Sequence, residues 1–372
     1  MMNAQPFHDP ILQCITRRCA RQFRMRSGEM ARSDRHAIGK SIALMNRRFS
    51  KDMLAMQLHE LAGGQNVVRK IIDLECLLPP DEQGRPRQYH EQASHRIGYG
   101  DPELLEARPG YGFANYQNIF RKRVGASAKG DAQKKPTGQS IKQFVAELDR
   151  EGAEVSVLGR VDNYVLADVV KEFPNRFFAL ASISPFDGMR GVREFEHLIK
   201  ERGLNGLRVA ALYNNLAASD RRYYPLYAKC VELDVPVRIY STMNYANDRP
   251  YDLGHPRHLD QIAMDFPELR IDAALSGWPW VNDLVGLMRR HPNLYCDTSA
   301  HHPQYFGVAG SGWEMFMQFG NTLLQDKIMV GFSKDSFGLT IPQSVAMYEK
   351  LPLKEKVVEK WLYGNAKRFL RR

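Results

Sequence analysis

Val235-Pro236-Val237-Arg238-Ile239-Tyr240 is a short, mostly apolar and β-branched run, and residues 259–266 after it have helical spacing. Leu269-Arg270-Ile271-Asp272-Ala273-Ala274 repeats the first pattern, 281–290 the second, and Asn293-Leu294-Tyr295-Cys296-Asp297 the first again. Strands that alternate with helices run parallel, because each helix carries the chain back to where the next strand begins. The same alternation extends in both directions. Upstream lie Gly206-Leu207-Arg208-Val209, Phe177-Phe178-Ala179-Leu180-Ala181, Glu154-Val155-Ser156-Val157-Leu158 and, beyond a long gap, Val67-Val68-Arg69-Lys70-Ile71-Ile72-Asp73-Leu74. Downstream is Lys327-Ile328-Met329-Val330-Gly331, and helical spacing recurs over 141–151, 223–233 and 344–350. Eight such units predict an α/β fold, a (β/α)8 TIM barrel over 67–372, with an open doubly wound sheet as the runner-up. No GxGxxG or GxxxxGK[ST] follows any run, so neither dinucleotide nor P-loop binding is supported.

Two segments stand outside the units. Residues 1–66 carry eleven Lys or Arg against five acids, more than half of the chain's net charge of +10. Ile38, Ile42 and Met45, then Met53, Leu54, Met56, Leu58 and Leu61, come close to helical spacing, so a basic helical arm is expected. No helix-turn-helix, zinc-finger or RNA-binding signature accompanies that charge, so no specific nucleic-acid partner is expected. Packing on its own domain or on a second subunit is the plainer reading. The other segment, 79–140, is far longer than an ordinary βα loop. It carries Arg85, Arg87, Tyr89, His90, His95, Arg96 and Tyr99, and in a barrel it would stand over the C-terminal mouth as a lid or as a surface insertion without a role.

Composition narrows the class. With 44% hydrophobic and 25% charged residues the 372-residue chain is an ordinary globular protein, and no apolar run approaches the ~20 residues of a membrane span. Its five cysteines (Cys14, Cys19, Cys76, Cys230 and Cys296) are scattered with no CxxC pair, which argues against a disulfide framework and a thiolate zinc site. A cytoplasmic location follows as the expectation. The N-terminus shows no apolar stretch ahead of a small-residue cleavage site, although its arginines leave a transit peptide open.

From the fifth unit onward the residues resemble a known family. Asp220-Arg221-Arg222-Tyr223-Tyr224-Pro225-Leu226-Tyr227-Ala228-Lys229-Cys230, Asp265-Phe266-Pro267-Glu268-Leu269, Gly277-Trp278-Pro279-Trp280, His291-Pro292-Asn293-Leu294-Tyr295-Cys296-Asp297-Thr298-Ser299 and Gly364-Asn365-Ala366 occur in order. Together they resemble the amidohydrolase-related family, which includes aminocarboxymuconate-semialdehyde decarboxylase, resorcylate decarboxylases and pyrone-dicarboxylate lactonase. The resemblance covers roughly residues 67–370 and not the arm. It implies a distorted barrel, a homodimer, a zinc or manganese ion, and hydrolysis, hydration or decarboxylation of small carboxylated substrates.

The metal ligands implied by the family are largely replaced. Where His-x-His follows the first strand, this chain has Glu75-Cys76-Leu77; the fifth-strand His falls near Tyr240 or Met243, and Gly-His-x-Gly becomes Ala274-Leu275-Ser276-Gly277. The eighth-strand Asp corresponds to Ser333 or, preferably, Asp335. A divalent ion needs three or four converging N or O donors, and Leu offers none, so no tightly bound catalytic metal is expected.

Chemistry would then fall to other side chains. Glu75 and Asp335, on the first and last strands of a closed barrel, can divide acid and base roles, unless Lys334 neutralises Asp335 or instead helps to hold substrate. Arg208 is a candidate clamp for a substrate carboxylate, or an outward-facing strand residue. Tyr240 can donate to an oxyanion or merely fill vacated space. His301 and His302 follow the seventh strand, where an imidazole can act as acid or base near neutral pH. Trp278 offers an aromatic wall, Asn244 a polar contact, and Trp280, His255 and His258 weaker cases for lining the mouth. No G-x-S-x-G supports a serine nucleophile. Three readings follow: a metal-independent hydrolase or lyase acting on a small polar or carboxylated ring compound; a non-catalytic scaffold barrel with the arm as docking device; and a metal enzyme with relocated ligands such as His301, His302 and Asp335.

Overall fold

The computed structural model describes residues 69–85, 87, 138–244 and 249–372, apart from the side chain of Asp335. The basic arm and most of the insertion, with Tyr89, His90, His95, Arg96 and Tyr99, lie outside the described residues. The barrel forms one unit over 68–372.

Eight strands pair in chain order, every pair parallel. They are β1 (Ile71–Cys76), β2 (Ala153–Leu158), β3 (Phe177–Ser182), β4 (Gly206–Val209), β5 (Val237–Tyr240), β6 (Ile271–Ala274), β7 (Leu294–Asp297) and β8 (Ile328–Met329). Leu74 N donates to Val330 O at 3.0 Å, which joins β8 to β1 and closes the barrel expected from the sequence. Between the strands run α1 (Ile141–Glu151), α2 (Asn163–Glu172), α3 (Gly188–Lys200), α4 (Tyr224–Glu232), α5 (Arg257–Asp265), α6 (Val281–Arg290), α7 (Glu314–Gly320) and α8 (Ile341–Glu349). Local signals explain the edges: α1 begins at a Ser140–Gln143 capping box and ends on Gly152 at φ 84°, where a Cβ would be strained. The first strand begins four residues later than Val67 and reaches Cys76, which brings Glu75 inside it.

Period-two alternation sorts the side chains into two layers. Ala179, Ala181, Leu207, Val209, Val237, Ile239, Ile271 and Ala273 pack outward beneath the helices. Ile72, Leu74, Val155, Val157, Phe178, Leu180 and Met329 form a separate inner cluster with Ala366, Phe369 and Leu370 of the terminal helix Asn365–Leu370. Arg270, just before β6, donates to Phe369 O at 2.6 Å and holds that helix under the N-terminal ends of the strands. Toward the other end the inner layer turns polar: Ser182, Arg208, Arg238 and Asp272 stand in register on β3 to β6. At the mouth the two feet of the long insertion meet, because Arg87 Nη1 donates to Pro79 O, Pro80 O and Gln139 O at 2.8, 3.0 and 3.1 Å.

Asp73 fastens the seam between β1 and β8. Its Oδ1 accepts from Phe332 N at 2.9 Å and Glu75 N at 3.0 Å. Burial, only partly offset by those bonds, raises its pKa from 3.8 to about 7. The native state therefore keeps a proton that the unfolded chain has released, so this group's contribution to stability falls as pH climbs from about 4 to 7. Asp73→Asn keeps an acceptor oxygen and removes the titration. In urea unfolding, its stability advantage over the parent is expected to grow across that window by on the order of 4 kcal/mol. A pH-independent difference between the two proteins would refute the assignment.

Candidate active site

The polar half of the barrel is organised by a guanidinium. Arg238, 4% exposed, projects inward from β5. Its Nε donates to Asp297 Oδ2 at 2.8 Å, Nη1 to Glu75 Oε2 at 2.5 Å and Nη2 to Ser299 Oγ at 3.0 Å, while Asp272 Oδ2 lies 3.2 Å from Nε. Gly331 makes the cluster possible, since a Cβ there would overlap Ser299 Oγ. Burial alone would raise Asp297, but Arg238 and bonds to Ser299 hold it below its ordinary value. Asp272 goes the other way: burial, then repulsion from Asp297, push it well above its ordinary value, which favours the protonated form. The carboxylate oxygens nearest to Arg238 are those of Glu75 and Asp297, at 2.5 and 2.7 Å.

Glu75 and Arg238 are the members of this cluster that reach a crevice. Tyr240 Oη donates to Glu75 Oε1 at 3.3 Å. The crevice has a volume of about 10 Å³, room for about one water, and is lined by Glu75, Cys76, Gly159, Arg160, Arg208 and Arg238 together with Leu74, Val157, Leu158 and Leu180. The Arg208 guanidinium lies over the Tyr240 ring at 4.6 Å and beside Tyr213 at 5.7 Å, a cation–π arrangement that fixes its plane, and Nη1 donates to Ser182 Oγ at 3.5 Å. The structure therefore brings Glu75, Tyr240 and Arg208 together.

The remaining sequence candidates lie elsewhere around the mouth. His301 Nε2 is 2.9 Å from Leu275 O, its ring rests edge-on against Trp313 at 4.8 Å, and burial lowers its pKa to about 4. It is thus a neutral imidazole with Nε2–H donated to a carbonyl. His302 Nδ1 accepts from Gln304 N at 3.3 Å and its ring meets Phe337 at 5.3 Å. Trp278 lies 6.4 Å from His301, and Asn244 Nδ2 reaches Pro250 O at 3.4 Å. Lys334 Nζ pairs with Glu147 and with Glu151 of α1, the latter at 3.5 Å, and the expected pairing with the Asp335 side chain lies outside the described residues. Ser333 Oγ accepts from Ala300 N at 2.9 Å, and Asp335 falls in the helical turn Lys334–Phe337. His255 stacks on Trp280 at 4.3 Å.

Arg160, Arg238, Asp272 and Asp297 are not selected as site residues from the sequence. For the last three the available signal was a charged residue within an otherwise apolar strand, which a barrel interior tolerates only when paired.

Comparison with known proteins fits this geometry. The amidohydrolase family model matches residues 126–372. The chain belongs to the amidohydrolase family. Among solved structures, a TIM-barrel protein of Bordetella bronchiseptica is 25% identical over 81% of this chain and 98% of its own, with a TM-score of 0.59. The 5-carboxyvanillate decarboxylase of Novosphingobium aromaticivorans, complexed with manganese and 4-hydroxy-3-methoxy-5-nitrobenzoic acid, is 14% identical over 83% and 98%, TM-score 0.54. The 2,6-dihydroxybenzoate decarboxylase of Rhizobium is 15% identical over 82% and 99%, TM-score 0.51. These low identities establish the shared barrel. A search of curated proteins finds no match.

Among the described residues the donors do not fit the divalent ion that the family resemblance implies. Among the described residues no group of three or more His, Cys, Asp or Glu is placed to hold one. Glu75, where the resemblance implies a ligand, is already paired with a cation, the Arg238 guanidinium. Leu275 contributes a backbone N–H to Asp297 Oδ1 at 3.3 Å where an imidazole would be needed, and it does so at φ 67°.

Proposed function

We propose that this amidohydrolase-family chain is a metal-independent hydrolase or lyase acting on a small carboxylated ring compound by general acid/base chemistry. One observation carries the reading: an ion-paired carboxylate from β1 and an inward arginine from β4 border a single crevice, and a tyrosine hydroxyl from β5 donates to that carboxylate. In this mechanism Arg208 holds the substrate carboxylate and Tyr240, whose ring lies against it, orients the bound plane. Glu75 takes a proton from the attacking water or from a substrate hydroxyl, and the Tyr240 hydroxyl donates to the oxygen on which charge develops. Arg238 supplies the fixed positive charge that stabilises the site throughout. Two relatives with the same barrel are decarboxylases of hydroxylated benzoates, which supports an aromatic carboxylate as the substrate class. The family resemblance supports a homodimer, the scattered cysteines without a CxxC pair support a cytoplasmic setting, and no helix among the described residues is long and apolar enough to cross a membrane.

One observation favours the scaffold alternative: the crevice between the described residues is near the size of one water, so a ring must bind above it. The test is turnover of full-length protein on hydroxybenzoates, benzene dicarboxylates and pyrone carboxylates, followed by ultraviolet absorbance. Turnover unchanged by a chelator is expected. Activity that appears only with added manganese or zinc would overturn metal independence, and no turnover of any member would leave the scaffold reading in its place.

A further inference from the structure

The first strand breaks its own alternation just where it delivers Glu75. Ile72 and Leu74 face the inner cluster, while Ile71 packs outward beneath the helices. Period two would send Asp73 and Glu75 outward together and Cys76 inward. Asp73 obeys, with Tyr348 of α8 among its electrostatic neighbours. The next two side chains do not: Cys76 joins the outer cluster, and Glu75 meets Arg238 and Tyr240 inside the barrel.

One extra residue is the cause. Asp73 pairs with Ser156 and Cys76 with Leu158, so three steps along β1 match two along β2. Such a bulge bends the strand and re-aims the side chains beyond it. Asp73 supplies the bond that holds it, because Oδ1 accepts from Glu75 N two residues on, at 3.0 Å, the local geometry by which Asp draws an N–H away from a ladder. The same oxygen accepts from Phe332 N at 2.9 Å, which pins the bulge to the chain after β8. Gly331 leaves room for the turned-in stem, since a Cβ there would stand 3.3 Å from Glu75 Cβ. Asp73 is 1% exposed, so water is no ready substitute for its oxygen. A side chain without that oxygen would strand two buried donors and leave β1 free to return to plain alternation.

We propose that Asp73 is the positioning residue for Glu75: its Oδ1 holds the bulge that turns the Glu75 carboxylate from the helix side into the barrel, against Arg238 and the crevice. The proposal rests on the reading of Glu75 as the general base. Asp73 touches no substrate and acts only through Glu75.

Full-length parent, Asp73→Asn and Asp73→Ala are compared, each with and without Glu75→Gln. Asn keeps an acceptor oxygen and should preserve the bulge, whereas Ala should not. In urea unfolding near neutral pH, Glu75→Gln is expected to lower the midpoint in the parent and in Asp73→Asn, because it takes a charged partner from Arg238. In Asp73→Ala that shift should be less than about half as large, since Glu75 is no longer held there. On a substrate that the parent turns over, Asp73→Ala should lose roughly tenfold or more in kcat with KM within about twofold, and Asp73→Asn should keep kcat. The Glu75 and Phe332 amides of the parent should exchange slowly with deuterium. Equal Glu75→Gln shifts in parent and Asp73→Ala, zero included, or a kcat unchanged by Asp73→Ala, would overturn the proposal. Free exchange of the Glu75 amide in the parent would overturn it whether or not Asp73→Ala folds. A parent without turnover would overturn Glu75 as the base, while the unfolding shifts still decide whether Asp73 places it.

Discussion

Arg238→Met is expected to lower the free energy of unfolding by about 3–5 kcal/mol, because it leaves Glu75 and Asp297 as uncompensated charges inside the barrel. The cost comes from those two carboxylates and not from lost packing, since Met keeps most of the apolar stem. Two further variants separate the causes. Adding Glu75→Gln and Asp297→Asn to Arg238→Met removes the stranded charges, and the triple variant should recover a large part of the loss. The single substitutions and the triple must then be strongly non-additive, as residues in one ionic network are. Denaturant titration near neutral pH measures all of them. Additive effects, or an Arg238→Met protein as stable as its parent, would show that the guanidinium is not what holds the carboxylates in place.

Glu75→Gln is expected to cut kcat by roughly a hundredfold to ten-thousandfold, the usual worth of a positioned acid or base. The amide keeps an oxygen for Arg238 and a similar volume, and Asp297 still pairs with Arg238, so the fold should persist. Arg208 is untouched, so carboxylate affinity should change little, and the loss should appear in kcat and not in KM. Tyr240→Phe tests the same pair from the other side: it removes the hydroxyl 3.3 Å from Glu75 Oε1 while keeping the ring against Arg208. A Glu75→Gln protein with kcat within a few-fold of the parent would remove Glu75 from the mechanism and return the barrel to the scaffold reading.

The residues named from the sequence and those named from the structure differ in an instructive way. Glu75, Tyr240 and Arg208 were legible because each is a polar residue at or near the end of a strand-like run, and strand ends in a barrel share one mouth. His301 and His302 were chosen by the same rule, yet their rings turn to Leu275 O and to Phe337, since the chain after β7 bends through Ala300 at φ 61° and Ser333 captures Ala300 N. Adjacency in sequence at such a bend fixes neither direction. Arg238 was visible as a letter in β5 and invisible as a hub: its partners come from β1, β6 and β7, at sequence separations of 163 and 59 for Glu75 and Asp297. Arg160 carried no sequence signal, because nothing local predicts a left-handed arginine.

The sequence by itself determined the barrel. Eight apolar runs with period two, separated by stretches with helical spacing, leave few ways to bury both faces of a parallel sheet, and closure follows from the number of units. It also shows leucine at 77 and 275, where the family resemblance implies histidines, since a residue type is a local fact. The tertiary structure alone decided which inward side chains meet. Strand register places Arg208, Arg238 and Asp272 on one level, and the close approach of β8 to β1 brings Gly331 beside Ser299 and Glu75. Those contacts depend on stagger and closure to within an ångström, whereas the hydrophobic pattern specifies only which face of each strand is buried.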